Sequence, residues 1–474
     1  MEQRIHFISL GCPKNRVDTE VMLGVALREG YRLVSDPREA DTVVINTCGF
    51  IEEAKEESIE TILEIAQLKG EGSLKRLIVA GCLVQRYGEE LAQELPEVDH
   101  FLGSSDMLQL ERVLRSPNKA ERLLIGHPSQ WLIRASDPRV PSLGRHSVYV
   151  KIAEGCSRRC AFCAIPQFRG KQRSRPIEDI VLECERLVSE GAVEINLVSQ
   201  DTIAYGRDLG KKEGLASLVS KIAEIQGLRW VRIFYLYPER LDPALVELFA
   251  SHPRVLPYID MPFQHASDAM LRRMRRGHTL EGQKQIICTL RERIPHLVFR
   301  SAVIVGHPGE SEADFEALLE FVRWAEFDRL AVFTYSHEEG TASYNLEDDV
   351  PPKVKRARAR AVEMEQRSIM ERKNRALIGK EVEVLVEGPS SESEWLLEGR
   401  WWGQAPEIDG KVILANGTAK PGEIRKARIT HATPIDLVAD LANEDGVYDV
   451  PPEALKQRGA RRRRLPTLQS GAQK

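Results

Sequence analysis

At 474 residues the chain is long enough for about three domains of ordinary size, each able to bury its own core, which excludes a small fold stapled by disulfides. Hydrophobic residues make up 42% and charged residues 29%, and no apolar run approaches the roughly 18 residues that span a bilayer, so no membrane partner is expected. Lys and Arg number 67 against 71 Asp and Glu, a net charge of −4. No global basic field therefore draws the chain onto nucleic acid, and any such partner needs a local patch.

The N-terminal run lacks the apolar stretch and small-residue cleavage site of a signal peptide, so a cytoplasmic location is expected. Three strand-like runs then end in a small residue and a cysteine: "RIHFISLGC", "DTVVINTCG" and "RLIVAGC". Amphipathic helical stretches such as Val17 to Arg28 and Glu52 to Leu68 separate them, so the unit reads as alternating β and α with a parallel sheet. Cys12, Cys48 and Cys82 then lie just past the carboxyl ends of their strands, the edge at which open parallel sheets bind ligands. A Pro, Gly and Ser-rich stretch from Ser136 to Arg145 reads as a linker.

After it, candidate strands end near Glu154, Ser199, Tyr235, Met261, Val305 and Tyr335, with helical patterns between them. Six βα units predict a partial barrel whose site lies on the strand carboxyl ends. Pro352 to Lys373 reads as a charged helix or hinge, and Ala376 to Leu441 as short strands of a small all-β barrel. The expected division is a parallel α/β sheet domain over 1–140, a partial (β/α)6 barrel with its connecting helix over 141–376, a small barrel over 377–441, and a disordered basic tail over 442–474.

In a reducing compartment eight cysteines suggest metal ligands or core residues. Cys156, Cys160 and Cys163, spaced C-x3-C-x2-C at a strand end, suit three thiolates wrapped around one face of a 4Fe-4S cluster. The fourth iron stays open to chelate S-adenosylmethionine and pass it an electron, releasing a 5′-deoxyadenosyl radical. Phe162 is placed to pack on the adenine. The alternative, zinc, ordinarily needs a fourth ligand, and no Cys or His stands close by in the sequence. Cys12, Cys48 and Cys82 are each ordinary as small buried hydrophobes, but their equivalent positions in three βα units favour a second three-ligand cluster. Cys184 and Cys288, within helical patterns, read as structural.

The strings "SLGCPKNRVDTE", "NTCGFIEEAKEESIETI", "GCLVQRYGEEL", "EGCSRRCAFCAIPQFRGKQRSR", "LVSQDT", "YLYP" and "DMPFQHASDAMLRRMRRG" together resemble the radical methylthiotransferases, most closely the branch that modifies ribosomal protein S-twelve. The resemblance runs from about residue 4 to 441. It implies a methylthiotransferase N-terminal domain, a radical S-adenosylmethionine barrel and a TRAM domain. It also implies an auxiliary 4Fe-4S cluster on Cys12, Cys48 and Cys82, a radical-generating one on Cys156, Cys160 and Cys163, S-adenosylmethionine as cosubstrate, and an electron donor. The implied reaction places a methylthio group on the β-carbon of an aspartate in the ribosomal protein. That C–H bond is too strong and too weakly acidic for base or nucleophile catalysis, so a radical must remove the hydrogen.

Against the family pattern, "FRSAVIVGHPGE" has Ser301 and Ala302 where two hydroxyl residues are usual and His307 where an aromatic or aliphatic residue is common. His307 reads as packing rather than a polar active-site group. Gln200 and Asp201 are either cosubstrate ligands or helix caps, and Gln264 and His265 stand equally open. The Arg461 to Arg464 run reads as a solvated tail over a ribosomal RNA contact. The sister branch, which methylthiolates an adenosine in tRNA, is the rival reading, and a non-catalytic iron-sulfur sensor is another. From Leu377 to Asp440 seven basic residues meet eleven acidic ones, so the small barrel repels phosphate and suits a basic protein instead. Trp401 and Trp402 fit base stacking, a docking surface or the small core.

Overall fold

The computed structural model describes residues 3–72, 74–116, 120–142, 144–210, 214–391, 393–443, 446 and 448. The expected basic tail, with Arg461 to Arg464, lies almost wholly outside the described residues. The chain divides into two compact units, Met1–Ile369 and Met370–Lys474.

The first unit opens with a six-stranded, all-parallel sheet. Its strands are β1 (Arg4–Ser9), β2 (Arg32–Leu33), β3 (Thr42–Thr47), β4 (Arg76–Gly81), β5 (His100–Gly103) and β6 (Leu123–Leu124), in the order β2-β1-β3-β4-β5-β6. Alternation along the strands divides the core. Val43, Ile45, Leu77 and Val79 pack with Ile62 and Ile65 of helix α2 (Glu52–Gly70) and Leu83 of α3 (Cys82–Glu94), whereas Val44, Ile78 and Ala80 pack with Met22 and Val25 of α1 (Pro13–Arg28) and Val113 of α4 (Leu110–Arg115). The three cysteine-bearing strands, β1, β3 and β4, are neighbours in this sheet. The three-unit sequence pattern misses β2, β5 and β6, which have two to four residues each and too little alternation to register.

The predicted partial barrel is present. Its parallel strands are β7 (Ser147–Lys151), β10 (Glu194–Val198), β11 (Trp230–Ile233), β12 (Val255–Asp260), β13 (Val298–Val305) and β14 (Arg329–Thr334), in sequential order. The short pair β8 (Ala153–Glu154) and β9 (Arg173–Ser174) is antiparallel. Helices α5 (Ile165–Arg169), α6 (Ile177–Ser189), α7 (Gly214–Ala223), α8 (Pro243–Ser251), α9 (Asp268–Arg273), α10 (Leu280–Arg293) and α11 (Glu312–Ala325) follow the strands, and α12 (Pro352–Arg375) ends the series.

The Pro, Gly and Ser-rich stretch between the sheets is tied down rather than loose. Arg139 is buried, donates from Nε to Glu20 at 2.9 Å and from Nη1 to Glu183 at 2.5 Å, and also reaches the Tyr149 carbonyl. One charged side chain thus pins the connection to both sheets' helices. In the second unit β15 (Glu381–Ser390), β16 (Ser393–Trp401), β17 (Val412–Asn416), β18 (Ile424–Ala432) and β19 (Leu437–Leu441) close a barrel in the order β15-β16-β17-β19-β18. The stretch from Arg425 to Leu441 forms two strands, broken where Pro434 cannot donate to the ladder. Trp401 is buried in this barrel and Trp402 half-buried against it, while Trp395 is 87% exposed. Base stacking by Trp401 is excluded by that burial.

Candidate iron-sulfur and cosubstrate site

Each cysteine of the first triad is delivered by a strand end. Cys12 is the N-cap of α1, Cys48 follows β3 directly, and Cys82 opens α3 after β4. The turns need glycine: Gly11 has φ +86°, and a β-carbon there would stand 2.8 Å from Cys48 Cβ. Cys48 feels both Cys82 and Cys12 electrostatically, and burial, together with those two neighbours, pushes its thiol up to about 12. Burial likewise carries Cys82 up to about 11, opposed by Arg169. Each thiol must shed its proton to ligate iron.

The polar side of α1 faces inward around this triad. Lys14, Asn15, Asp18, Thr19 and Glu20 are all buried. Asn15 Nδ2 donates to the Leu10 and Thr47 carbonyls, and Asn46 Nδ2 donates to the Asn15 carbonyl at 2.8 Å. Buried polar groups of this kind need such partners.

In the second triad Cys156 follows β8, and Cys160 and Cys163 lie in the loop before α5. Gly155 has φ +80°, and a β-carbon there would meet the Lys171 carbonyl oxygen at 2.4 Å. Cys156 Sγ accepts from the Arg158 amide at 3.4 Å, and Cys160 Sγ from Arg276 Nη1 at 3.2 Å. Burial pushes Cys156 up to about 11, and burial and Cys160 push Cys163 up to about 12. Among the described residues no three His, Cys, Asp or Glu side chains converge on a single ion. In a cubane each thiolate binds a different iron, so its ligands need not converge.

Arg169, at the end of α5, ties the barrel to the first triad. Its Nε and Nη2 donate to Cys82 Sγ at 3.2 and 3.0 Å, Nη2 also to Asn15 Oδ1 at 2.5 Å, and Nη1 to Asp18 at 2.8 Å and Glu154 at 3.3 Å. Lys151 pairs with Asp18 at 2.6 Å and with Glu154. Burial acts to raise the Glu154 carboxyl, but Lys151 and Arg169 outweigh it and hold the group down to about 2. Sequence reasoning misses Arg169, which stands in the basic run "QFRGKQRSR". Nothing in composition separates it from the other basic residues of the run, of which Lys171 is exposed and Arg175 buried.

The remaining sequence candidates fall in different places. Gln200 Nε2 donates to Glu154 at 2.7 Å and Asp201 accepts from Arg158 Nε at 2.6 Å. Neither acts as a helix cap, because Asp201 precedes a 3-10 turn without any side-chain cap bond. Gln200 Oε1, Asp201 Oδ1 and both amide atoms of Gln172 are buried without a hydrogen-bond partner. Ser157, Arg158, Gln172 and Asp201 line a cavity of 210 Å³ beside Cys156. Unmet acceptors and donors at the strand carboxyl ends fit a polar cosubstrate such as S-adenosylmethionine. Phe162 packs against Met270, Met274, Ile304 and Tyr335.

His265 is fully buried; its Nδ1 accepts from the Ala266 and Ser267 amides, which makes it a positioning group for the turn into α9. Gln264, at φ +74°, bridges β12 to β13 through its backbone, with Oε1 unmet. His307 bonds Ser343 Oγ at 2.8 Å and stacks edge-on to Tyr335, and burial lowers it to about 4. Its contacts are those of a packed, hydrogen-bonded side chain. Ser301 Oγ donates to the Met261 carbonyl. Cys184 is buried in the barrel core, as expected, but Cys288 is exposed. The correction is geometric: Ile287 takes the buried stripe of α10, and the next residue turns about 100° away.

A parallel barrel carrying a C-x3-C-x2-C loop on its carboxyl edge, behind an α/β sheet with three strand-end thiols, defines a radical S-adenosylmethionine protein. Family models agree: "Uncharacterized protein family UPF0004" matches residues 4–103, the radical SAM superfamily 150–322 and the TRAM domain 378–441. Relatives named ribosomal protein uS12 methylthiotransferase RimO are 59% identical in Sorangium cellulosum, covering 94% of this chain and 92% of the relative, and 49% identical in Myxococcus xanthus, covering 92% and 91%. The chain belongs to this RimO family of methylthiotransferases. The radical S-adenosylmethionine methyltransferase TsrM from Kitasatospora setae, solved with cobalamin and a 4Fe-4S cluster, shares the fold at TM-score 0.51 and 14% identity, over 70% of this chain and 75% of that one. Among the described residues no helix is long and apolar enough to cross a membrane.

Proposed function

We propose that the protein adds a methylthio group to the β-carbon of an aspartate in ribosomal protein uS12, using S-adenosylmethionine and two 4Fe-4S clusters. Cys12, Cys48 and Cys82 hold the auxiliary cluster and Cys156, Cys160 and Cys163 the radical-generating one, and these groups, when bound, supply the 5′-deoxyadenosyl radical and the sulfur. The observation that carries this reading is the pair of thiol triads on the carboxyl edges of two parallel sheets, with Arg169 of the barrel donating to Cys82 of the first.

The chain's own side chains do the positioning. Arg276 donates from its guanidinium to Cys160 Sγ, Arg158 donates its backbone amide to Cys156 Sγ and its guanidinium to Asp201, and a charge-assisted donor such as Arg276 stabilises an electron-rich cluster. Gln200, Asp201 and Gln172 offer unmet polar atoms to the cosubstrate, and Phe162 offers it an apolar face. We take the domain limits as 1–140, 141–376 and 377–441, and the setting as the cytoplasm, where an electron donor serves the second triad.

Mass spectrometry of uS12 and of tRNA from cells with and without the gene tests the reading. The expected result is loss of a methylthio increment on one uS12 aspartate with tRNA unchanged. Loss of a methylthio-adenosine instead would overturn it, against the acidic character of the small barrel. Cys156→Ala is expected to abolish adenosylmethionine cleavage, and Cys12→Ala to spare cleavage and lose sulfur insertion. Absence of any cleavage by the reconstituted, reduced protein favours a sensor.

A further inference from the structure

Between the two triads stands a buried lysine that, among the described residues, no carboxylate pairs with at ion-pair distance. Lys14 lies two residues beyond Cys12 in the first turn of α1 and is 93% buried, at a relative exposure of 7%. Its Nζ sits 3.4 Å from the centroid of the Tyr235 ring, at the carboxyl end of β11. Among the described residues no carboxylate pairs with it. The nearby acids are committed elsewhere: Asp18 and Glu154 to Lys151 and Arg169, and Asp260 to Arg300 at 2.7 Å. Burial works against the charge of Lys14, and Cys12, Asp260 and Glu154 support it from a distance, so no carboxylate is committed to Lys14 alone.

Tyr235, beneath Lys14, feels Cys12, while Tyr237, two residues on, is packed between Arg158 and Arg276 and feels Cys160. Lys14 thus stands on the line of residues between the two sets of thiols. A buried ammonium with no ion-paired carboxylate is costly, and a ligand's carboxylate in the assembled complex offsets that cost.

We infer that Lys14 is the specificity-determining cation that binds the side-chain carboxylate of the acceptor aspartate. The inference rests on the proposed uS12 reading and deepens it. In aspartate the carboxylate carbon is bonded directly to Cβ, so an ion pair to the carboxylate fixes the reacting carbon one bond away. A neutral asparagine offers no such anchor, and the ring of Tyr235 holds the ammonium in place from below.

The test measures equilibrium binding of purified uS12, with its acceptor aspartate intact or changed to asparagine, to the iron-loaded enzyme. Wild type is expected to prefer the aspartate form by about tenfold, the discrimination expected of a hydrogen bond to a charged group. Lys14→Met is expected to bind both forms equally, within about twofold, while retaining its iron. A Lys14→Met enzyme that keeps the aspartate preference overturns the inference, as does equal binding of both forms by wild type. Should Lys14→Met lose iron, Lys14→Gln is measured in its place. Iron loss in that variant too assigns Lys14 to the auxiliary cluster and overturns its role in substrate recognition. A wild-type enzyme that neither binds nor modifies uS12 instead removes the functional reading, and the inference with it.

Discussion

Replacing Arg169 by methionine tests whether the tie between the barrel and the first triad is structural. In the native site two carboxylates, Asp18 and Glu154, share two cations, Lys151 and Arg169. The variant leaves both carboxylates to one ammonium and strips Cys82 of two donors and Asn15 of one. Removing one partner of a buried charge pair costs about 3–5 kcal/mol, and because Lys151 remains, the lower end of that range, about 3 kcal/mol, is expected. Urea unfolding of the iron-free protein reads this directly as a fall in midpoint at unchanged slope. The sign with pH is fixed as well. Burial raises Glu154 and the two cations lower it to about 2, so its stabilisation is present above the ordinary carboxyl range and is lost as the pH falls through the folded value. Without Arg169 that carboxyl moves up. The deficit of the variant is therefore greatest at neutral pH and narrows as acid supplies the missing positive charge in the form of a proton. Arg169→Lys, which keeps the charge and loses the fork, is expected to fall between the two. A loss below about 0.5 kcal/mol, ordinary for a surface position, would refute the argument.

Three further outcomes are expected. Burial holds His307 at about 4 against an ordinary 6.5, so its stabilisation is complete above pH 6.5 and is lost as the pH falls towards 4, up to about 3 kcal/mol; His307→Gln should flatten that slope in unfolding midpoints measured against pH. Gly155→Ala puts a β-carbon at φ +80° and 2.4 Å from a backbone oxygen, which should cost about 1–3 kcal/mol and reduce iron loading, read by melting temperature and iron content. Native-state alkylation followed by mass spectrometry should label Cys288, which is exposed, and spare Cys184 until the protein unfolds.

Much of this was legible in the sequence because parallel strands buried on both faces are near-continuous apolar runs, and each ends where its polar residues begin. The strand ends at Glu154, Tyr235, Val305 and Tyr335 lie within a few residues of the observed limits, and with them both thiol triads. What sequence did not reveal is long-range pairing of charge. Arg139 lies in a stretch whose composition reads as a linker, and Arg169 in a basic run whose composition does not single it out, yet both are buried against acids far away in the chain. Burial of a charge depends on partners more than a hundred residues distant, Glu20 for Arg139 and Asp18 for Arg169, and no local window holds that information. Cys288 shows a smaller limit: in "QKQIICTL" apolar neighbours on either side of the buried stripe look alike until the helix phase is known.

The charges follow a route. From Cys82 it passes to Arg169, to Glu154 and to Gln200, whose neighbour Asp201 is held by Arg158; Arg158 and Arg276 flank Tyr237, and Arg276 donates to Cys160. Every link is a hydrogen bond, a ring contact or a peptide bond. Burying so many ions is poor economy if stability is the object, since well-packed apolar groups of the same volume do as well or better. Such a network is better explained by position: directional bonds fix two loops from different sheets to within the tolerance that atom transfer demands, where apolar packing would let them slide. It also explains why Lys14 is left out. A cation already engaged in the route would have nothing left for a substrate's carboxylate, whereas Lys14, set over the face of Tyr235 with no carboxylate paired to it among the described residues, keeps its charge available.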